Sequence, residues 1–346
     1  MASDWRVVPE PLAKLACGTC GLTRRRSQLA AGESLYASGY TLYAHAPGGA
    51  RERERQEHYA RWIADAVGRS PARVLDVGCG NGSLLLALRE HWPGALLQGC
   101  DPSAESVAHG SGLGLRLWQG TARGAAEAKS DIVISVNVIE HTSDPRGFVR
   151  ALRDALAPDG LLVLVCPDGG RPGSELLFAD HLFSFDPSHL EALLAREGLR
   201  LVRRSAAVAA LGEFQMVVAE RAEAPVSMPL LAAPALAARR AYLESWRELD
   251  ARLQLRVPAS VVCFGIGEAA GLLRAYASGV WRRVRACTAD DASGGTFADL
   301  PVIALDAVRP EETMLLGVRP SDQALLVERL RSRCSQVVAW NDLIKT

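Results

Sequence analysis

The stretch LDVGCGNG, residues 75–82, places three alternating glycines directly after a short apolar segment, and this feature constrains the fold more than any other. Glycine adopts backbone conformations that are costly for other residues, so it allows a tight turn, and the following SLLLAL has the apolar character of a buried helix. A strand, a glycine turn and a helix together begin an alternating α/β fold. A phosphate loop of the GxxxxGK[ST] type is excluded, because no Lys-Ser or Lys-Thr follows the glycines.

Short apolar segments alternate with helical segments after this turn, which predicts a parallel sheet covered by helices on both faces. Helices are expected near 83–91, 103–109 and 146–156. Two later segments, LRLVRRSAAV and FQMVVAER, are expected to form a hairpin that adds an antiparallel strand to the sheet. The predicted parallel strands are RVLDV (73–77), ALLQGC (95–100), LRLW (115–118), DIVISV (131–136) and LLVLVC (161–166).

A second alternating unit follows a segment rich in alanine and proline, and 346 residues are enough for two domains. Its predicted strands are SVVCFG, RVRACT, LPVIAL, TMLLGV and QVVAW. The sequence therefore predicts an N-terminal segment with one CxxC (1–50), an α/β domain opening with an amphipathic helix (51–220), a linker and connecting helix (221–256), and a smaller Rossmann-like domain (257–346).

Composition excludes some classes of partner and location. The 39 basic and 39 acidic side chains give a net charge of zero, which argues against nucleic acid and against anionic membranes as partners. No apolar segment is long enough to span a bilayer, and the N-terminus lacks the pattern of a secretion signal. Several of the eight cysteines lie in apolar segments and are expected to be core thiols in a reducing compartment, so a cytoplasmic protein is predicted.

Two acidic residues restrict the class of ligand that the glycine turn can bind. Asp76 ends the strand before the turn, and Asp101 ends the next strand. A carboxylate is unfavourable beside a pyrophosphate but favourable beside an ammonium, and an acid at the second position suits ribose hydroxyls. S-adenosylmethionine carries an ammonium, a sulfonium and a ribose, and it has no phosphate.

The succession of VLDVGCGNGSLLLAL, CDPS and NVIEHTSDPRGFVRALRDALAPDGLLVLVCPD resembles the class I S-adenosylmethionine-dependent methyltransferases over residues 55–220. The resemblance implies that Asp76 and the turn line the methionine end, that Asp101 takes the ribose, and that Asn137 lies where the methyl group emerges. Family members often carry an acid where this chain has Gln119, Gly120 and Thr121. The implied cofactor residues are Asp76, Gly78, Cys79, Gly80, Gly82, Asp101, Pro102, Gln119, Gly120 and Asn137.

Three further segments resemble the deoxysugar C-methyltransferases of antibiotic biosynthesis: LACGTCGL as a zinc knuckle, FADHLFSFDPSHLEALL as a segment with an acid–histidine pair, and VVCFGIGEAAG as the start of a C-terminal domain. This resemblance implies that His141 and His181 are catalytic, with Asp180 as the acid of the pair. His181 is the candidate general base, since a neutral imidazole is well suited to take a proton near pH 7.

The chain departs from that family in two places. Asp180 replaces a glutamate and Phe178 replaces a tyrosine, so carbon methylation does not follow, and methylation of an oxygen needs only one base. The other zinc knuckle is absent, which leaves Cys17 and Cys20 with only His45 and His58 as remote partners. A structural zinc site needs four ligands, so no metal site is predicted and the two thiols are expected to be free.

Two sets of residues have open roles. Tyr36, Tyr40 and Tyr43 either contact the substrate, with residues 1–50 as a lid, or pack ordinarily. The GxGxxxG of Gly265, Gly267 and Gly271 is expected to be a scaffold for the substrate cleft, ahead of a second cofactor site.

The predicted function is methyl transfer from S-adenosylmethionine to a polar small molecule, with a sugar or sugar nucleotide as the expected substrate. One alternative is O- or N-methylation of another natural-product scaffold by the same residues. Another is a non-catalytic subunit that only binds S-adenosylmethionine. Methylation of RNA is a third, and the neutral net charge argues against it.

Overall fold

The computed structural model describes residues 1–27, 34–37, 50–127, 129–208, 211–224, 236–292 and 294–345. The predicted linker lies largely outside these residues, as do Tyr40, Tyr43 and His45. Two compact units are present. One comprises Ala13–Arg171 and Asp180–Pro234, and the other comprises Met1–Leu12, Pro172–Ala179 and Ala235–Thr346.

A seven-stranded sheet forms the centre of the first unit. Its strands are β3 (Arg73–Val77), β4 (Leu96–Asp101), β5 (Arg116–Gln119), β6 (Ser130–Val136), β7 (Leu156–Pro167), β9 (Leu199–Ala206) and β10 (Phe214–Arg221). The first five pair in parallel, and β10 runs antiparallel to both β7 and β9. The strand order is β5-β4-β3-β6-β7-β10-β9. The predicted parallel sheet with a terminal antiparallel hairpin is therefore confirmed, and it is the class I methyltransferase arrangement.

Helices cover both faces of this sheet. They are α2 (Ala50–Val67), α3 (Ser83–His91), α4 (Ala104–Gly112), α5 (Pro145–Ala155) and α6 (Pro187–Arg196). Helices α5 and α6 contribute apolar side chains to the core on one face, and α2 and α3 to the core on the other, whereas α4 buries only Gly110. Leu75, Val133 and Leu164 belong to the core on one face, and Val74, Ile134 and Val163 belong to the core on the other. This alternation follows from the period of two residues in a strand.

Strand β7 begins five residues earlier than predicted. Leu156 pairs with Ser130 before an irregularity in the register, and the regular pairing resumes where Leu161 meets Ile132. The charged and glycine residues of the segment APDG hid the early part of the strand from a hydrophobic pattern.

A small antiparallel sheet lies in the same unit and consists of β1 (Lys14–Ala16), β2 (Thr23–Arg25) and β8 (Phe183–Ser184). The CxxC of Cys17 and Cys20 forms the turn between β1 and β2. A short helix α1 (Ser34–Ala37) precedes α2.

The second unit is built on a four-stranded parallel sheet of order β12-β11-β15-β16. The strands are β11 (Val261–Phe264), β12 (Val284–Thr288), β15 (Thr313–Leu316) and β16 (Gln336–Val338), with helices α7 (Leu236–Gln254), α8 (Glu268–Tyr276), α9 (Ser278–Trp281) and α10 (Pro320–Leu330). The predicted Rossmann-like architecture is present here. The segment LPVIAL contributes β14 (Leu300–Pro301), which pairs with β13 (Thr296–Phe297), and it meets the main sheet through an isolated bridge between Val302 and Cys287 of β12.

The glycines of this second unit have packing roles. A Cβ at Gly265 would lie 2.2 Å from the carbonyl oxygen of Gly317, and a Cβ at Gly271 would lie 3.1 Å from the sulfur of Met1. A Cβ at Gly267 would meet no atom within 4 Å. Close packing, against backbone at Gly265 and against side chains at Gly271, explains two of the three glycines without a ligand, which supports a scaffold role for this motif.

Met1 explains why the extreme N-terminus belongs to the second unit. It is buried in the core there, and its carbonyl accepts a hydrogen bond from the amide of Ala179. Phe178, the residue in place of a tyrosine, is buried in the same core. The predicted domain boundaries at 50, 220 and 256 differ from the limits of the two compact units, and as boundaries of folding units they stay predictions.

No helix among the described residues is both long enough and apolar enough to cross a membrane.

Candidate active site

Four backbone amides of the glycine turn donate hydrogen bonds within the fold. The amides of Gly78 and Cys79 both donate to the carbonyl of Cys100, at 2.8 and 3.1 Å, and the amide of Gly82 donates to the carbonyl of Cys79. The amide of Gly80 donates to the carboxylate of Asp101 at 2.8 Å. A phosphate-binding turn needs free amides, so this one is built to present acids instead.

Glycine occupies the three positions of the turn for different physical reasons. All have positive φ, at 80°, 53° and 78° for Gly78, Gly80 and Gly82. A Cβ at Gly78 or Gly82 would lie under 2.5 Å from Val138 or Leu115. A Cβ at Gly80 would meet nothing within 4 Å, so Gly80 alone faces open space where a ligand has room.

Asp76 is a buried acid at the end of β3, with 2% of its surface exposed. Its Oδ1 has no hydrogen-bond partner among the described residues. Burial and the nearby charge of Asp101 raise the pKa of Asp76 to about 7. A buried, unsatisfied carboxylate oxygen is costly unless a partner binds there, and the ammonium of S-adenosylmethionine fits this requirement.

Asp101 fixes the turn and the end of β4 together. Its Oδ2 accepts from the amide of Gly80 and its Oδ1 accepts from the amide of Ser103, both at 2.8 Å. Burial raises the pKa of Asp101, although these two hydrogen bonds oppose the rise. Each carboxylate oxygen keeps a second lone pair, so the group can still accept from ribose hydroxyls.

The predicted adenine-side residues lie beside Asp101. The side-chain amide of Gln119 donates to the carbonyl of Pro102 at 3.1 Å, and the amide of Gly120 donates to the carbonyl of Asp101 at 3.0 Å. Cys79 differs, because its thiol is packed where a Cβ at Gly99 would lie 2.8 Å from its sulfur. Its side chain is therefore a packing group, and only its backbone belongs to the turn.

Asn137 follows β6 in a left-handed conformation, with φ of 57°. Its side-chain amide donates to the hydroxyl of Tyr59 at 3.4 Å, and its Oδ1 is buried without a hydrogen-bond partner among the described residues. Strain and an unsatisfied oxygen in one residue mark a functional position. Tyr59, which sequence reasoning assigned only to a helix stripe, positions this side chain.

His141 is held by one ring nitrogen. Its Nδ1 lies 3.0 Å from the carbonyl oxygen of Asp180 and 2.9 Å from the hydroxyl of Tyr36. A carbonyl only accepts, so the contact with Asp180 is a hydrogen bond in the tautomer that carries the proton on Nδ1 and the lone pair on Nε2, whereas the hydroxyl of Tyr36 can pair with either tautomer. Tyr36 thus contacts a predicted catalytic residue.

His181 packs edge-on against His141, with ring centroids 4.8 Å apart. Burial and His141 lower the pKa of His181 well below its usual value, although Asp180 opposes this, so its ring is neutral at pH 7. The carboxylate of Asp180 lies 3.8 Å from Nδ1 of His141, beyond hydrogen-bond distance. Asp180 therefore orients His141 through its backbone carbonyl.

Glu140 is a member of this cluster that sequence reasoning missed. Its Oε1 lies 3.9 Å from Nε2 of His141, and its side chain is buried. Glu140, His141 and His181 each offer one potential metal-ligand atom, and these atoms lie within 4.8 Å of one another. The amide of Leu182 donates to the carbonyl of Glu140 at 2.7 Å, which joins the two segments. In the sequence, the only feature that points to Glu140 is its place in the segment IEH after β6.

Cys17 and Cys20 form no such group. Neither belongs to a set of three potential ligands among the residues that the structure describes. Cys17 is exposed, and backbone hydrogen bonds from Cys20 and Thr19 lower the pKa of Cys17 to about 7. A thiolate half-formed at neutral pH is the reactive species.

We expect Cys17 to be the fastest thiol to react with iodoacetamide at pH 7, because six of the other seven cysteines are buried. Its rate should rise up to about pH 7 and then level off as the thiolate fraction saturates. Mass spectrometry of peptides over time measures the rates, and Cys17→Ser should remove the fast phase. Equal rates at Cys17 and at buried Cys334 would contradict the assignment.

Comparison with known proteins finds methyltransferases among the relatives of this chain. A family model described as a methyltransferase domain matches residues 51–204. The ubiquinone biosynthesis O-methyltransferase of Ruegeria pomeroyi is 37% identical over 99 residues, which are 26% of this chain and 39% of that protein. The trans-aconitate 2-methyltransferase of a Mycobacterium species is 30% identical over 116 residues, which are 32% of this chain and 46% of that protein.

Among solved structures, that of the mitomycin 7-O-methyltransferase is similar with a TM-score of 0.42 and 22% identity, covering 51% of this chain and 55% of that chain. The chain spans less than half the length of the two sequence relatives above. The matched residues 51–204 contain the glycine turn, both acids and His141. Residues 51–204 therefore match a methyltransferase domain, and the strand order of the sheet to which they contribute is that of the class I fold, which uses S-adenosylmethionine.

Proposed function

We propose that the protein transfers a methyl group from S-adenosylmethionine to an oxygen of a small polar molecule. The observation that carries this proposal is the pair of acids at the glycine turn, buried Asp76 and partly buried Asp101, while the amides of all three glycines donate within the fold. Asp76 would bind the ammonium and Asp101 the ribose hydroxyls, while Pro102, Gln119 and Gly120 would flank the adenine. When bound, S-adenosylmethionine supplies an electrophilic methyl group.

The acceptor side is formed by Tyr36, Asn137, His141 and His181. Asn137 directly follows β6, the neighbour of the strand that carries Asp76, and this position supports a place for Asn137 beside the methionine end of the cofactor. The histidine cluster would hold the acceptor hydroxyl and take its proton, with His181 as the candidate base. Holding acceptor and cofactor at attack distance would supply most of the rate enhancement.

The acceptor's identity stays a prediction. A sugar or sugar nucleotide is expected from the deoxysugar resemblance, whereas the relatives' names point to a quinone precursor and to a small carboxylic acid. The departures at Phe178 and Asp180 favour oxygen over carbon as the acceptor atom. We place the reaction in the cytoplasm on the distribution of cysteines in the sequence.

The test is calorimetric titration with S-adenosylhomocysteine, followed by methyl-transfer assays on nucleotide sugars, phenols and small carboxylic acids. We expect micromolar binding and transfer to one class of acceptor. Binding without transfer to any acceptor would favour the non-catalytic subunit. Absence of binding would overturn the proposal, because the acids and the turn would then have no ligand of this kind.

A further inference from the structure

We propose that Glu140, His141 and His181 form a binding site for a divalent transition-metal ion. Two imidazole nitrogens and one carboxylate oxygen are the donor set of many Zn²⁺ and non-haem metal sites, and they suit Mg²⁺ or Ca²⁺ poorly. The three potential ligand atoms lie within 4.8 Å of one another. The ion's binding is independent of the proposed function, and its role in holding the acceptor oxygen rests on that function.

The distances are close to those of a loaded site. Ligand atoms about 2.0–2.2 Å from one ion lie roughly 3–3.6 Å apart in tetrahedral geometry. Nε2 of His141 lies 3.9 Å from Oε1 of Glu140, so a small side-chain rotation brings this pair into range. Both backbones are already fixed, since Leu182 bonds to Glu140 and the ammonium of Lys14 donates to the carbonyl of His181 at 2.7 Å.

The orientation of His141 is that of a metal ligand. A ligating histidine commonly donates its other N–H to a backbone carbonyl or a carboxylate, which fixes the tautomer and directs the free nitrogen at the metal. Nδ1 of His141 makes this contact with the carbonyl of Asp180, and the hydroxyl of Tyr36 adds a second. Nε2 then carries the lone pair and is the nitrogen nearer to Glu140.

Three protein ligands leave at least one coordination position open. A fully closed structural site would use four protein ligands, whereas sites with an open position bind water or a substrate oxygen. The ion would thereby orient an acceptor oxygen on the side of the domain where Asn137 lies.

The test is titration of metal-free, untagged protein with Co²⁺, followed by visible absorption, and with Zn²⁺, followed by calorimetry. We expect one equivalent to bind, and His141→Ala and Glu140→Gln each to weaken binding by about tenfold or more. The variant Glu140→Gln preserves shape, so it tests the site even where His141→Ala lowers stability. The exposed His109 provides a control, and His109→Ala should leave metal binding unchanged.

The CxxC pair needs its own control, because its thiols can also bind metal. The double variant Cys17→Ser, Cys20→Ser should keep the bound equivalent, and the Co²⁺ spectrum should lack the intense near-ultraviolet band of a thiolate ligand. Loss of binding in this variant, or unchanged binding in His141→Ala and Glu140→Gln, would overturn the proposal, as would the absence of any bound equivalent.

A parallel titration of the metal-free protein with S-adenosylhomocysteine separates this inference from the proposed function. Cofactor-product binding without metal binding would overturn the metal site alone. Metal binding without cofactor-product binding would support the metal site and overturn the methyltransferase proposal.

Discussion

Asp76→Asn is expected to weaken the binding of S-adenosylhomocysteine by about 2–5 kcal/mol, which is roughly a 30-fold or greater increase in Kd. The side chain is almost completely buried, and its Oδ1 has no partner among the described residues, so water screens its attraction for an ammonium only weakly. An amide keeps the shape and removes the charge. Calorimetric titration of both proteins at pH 8 measures the difference.

A matched control separates loss of the contact from loss of the fold. Asp131, at the start of β6, accepts hydrogen bonds from the amides of Ala72 and Arg73. These groups lie at the amino-terminal ends of β3 and β6, whereas Asp76 lies near the carboxyl end of β3. Asp131→Asn should therefore leave the affinity for S-adenosylhomocysteine unchanged. Equal affinity in Asp76→Asn and the parent protein would contradict the assignment of Asp76 to the ammonium.

The raised pKa of Asp76 adds a pH dependence to this prediction. With a pKa of about 7 in the unbound protein, Asp76 is mostly protonated at pH 6 and mostly charged at pH 8. Only the charged form attracts the ammonium, so the affinity should be about tenfold weaker at pH 6 than at pH 8. In Asp76→Asn this difference should disappear.

The raised pKa of Asp76 also predicts how the stability of the folded protein depends on pH. Because folding raises the pKa of Asp76, its protonated carboxyl contributes to the stability of the folded state at low pH. This contribution is lost as the pH rises through the folded-state pKa of about 7, since the buried group then becomes charged. The unbound Asp76→Asn protein should therefore be at least as stable as the parent at pH 8. Thermal unfolding at pH 8 would show this, and it distinguishes a lost ligand contact from a damaged sheet.

The cofactor half of the site could be predicted because its signals are local. The strand before the turn, the three glycines and Asp76 lie within eight residues, and Asp101 ends the next strand of the sheet. Parallel neighbours bring their carboxyl ends to one edge, so sequence order alone places these groups together. The structure adds that the amides of the three glycines in the turn donate hydrogen bonds within the fold.

The acceptor half could not be predicted in the same way, because its contacts join distant segments. Tyr36 and His141 are 105 residues apart, and His141 meets Asp180 across 39. Glu140 gave no signal, since a glutamate after a strand is usually a surface residue, and only burial beside two histidines gives it a role. Likewise, no pattern indicated that residues 172–179 leave one unit for the other.

His181→Ala is expected to lower kcat by on the order of 10²–10⁴-fold, the range for losing a proton-transfer group, while the Kd for S-adenosylhomocysteine stays unchanged. His181 packs on His141 and belongs to the cluster with Glu140, and these three residues lie outside the glycine turn and the strands β3 and β4 that carry Asp76 and Asp101. The measurement is steady-state turnover with the acceptor class that the transfer assays identify. His181→Gln is the second variant, because it fills more of the buried volume.

The exposed His109 again serves as the control, and His109→Ala should retain full turnover. Near-normal turnover in His181→Ala with intact cofactor binding would show that His181 is not the general base, whereas a large loss would fit either a general base or a ligand of an ion that the reaction needs. The two roles then separate by metal dependence in the parent protein. A general base keeps its turnover after chelation, whereas a metal ligand acts only with the ion bound, so loss of parental turnover in a chelator would assign His181 to the metal site.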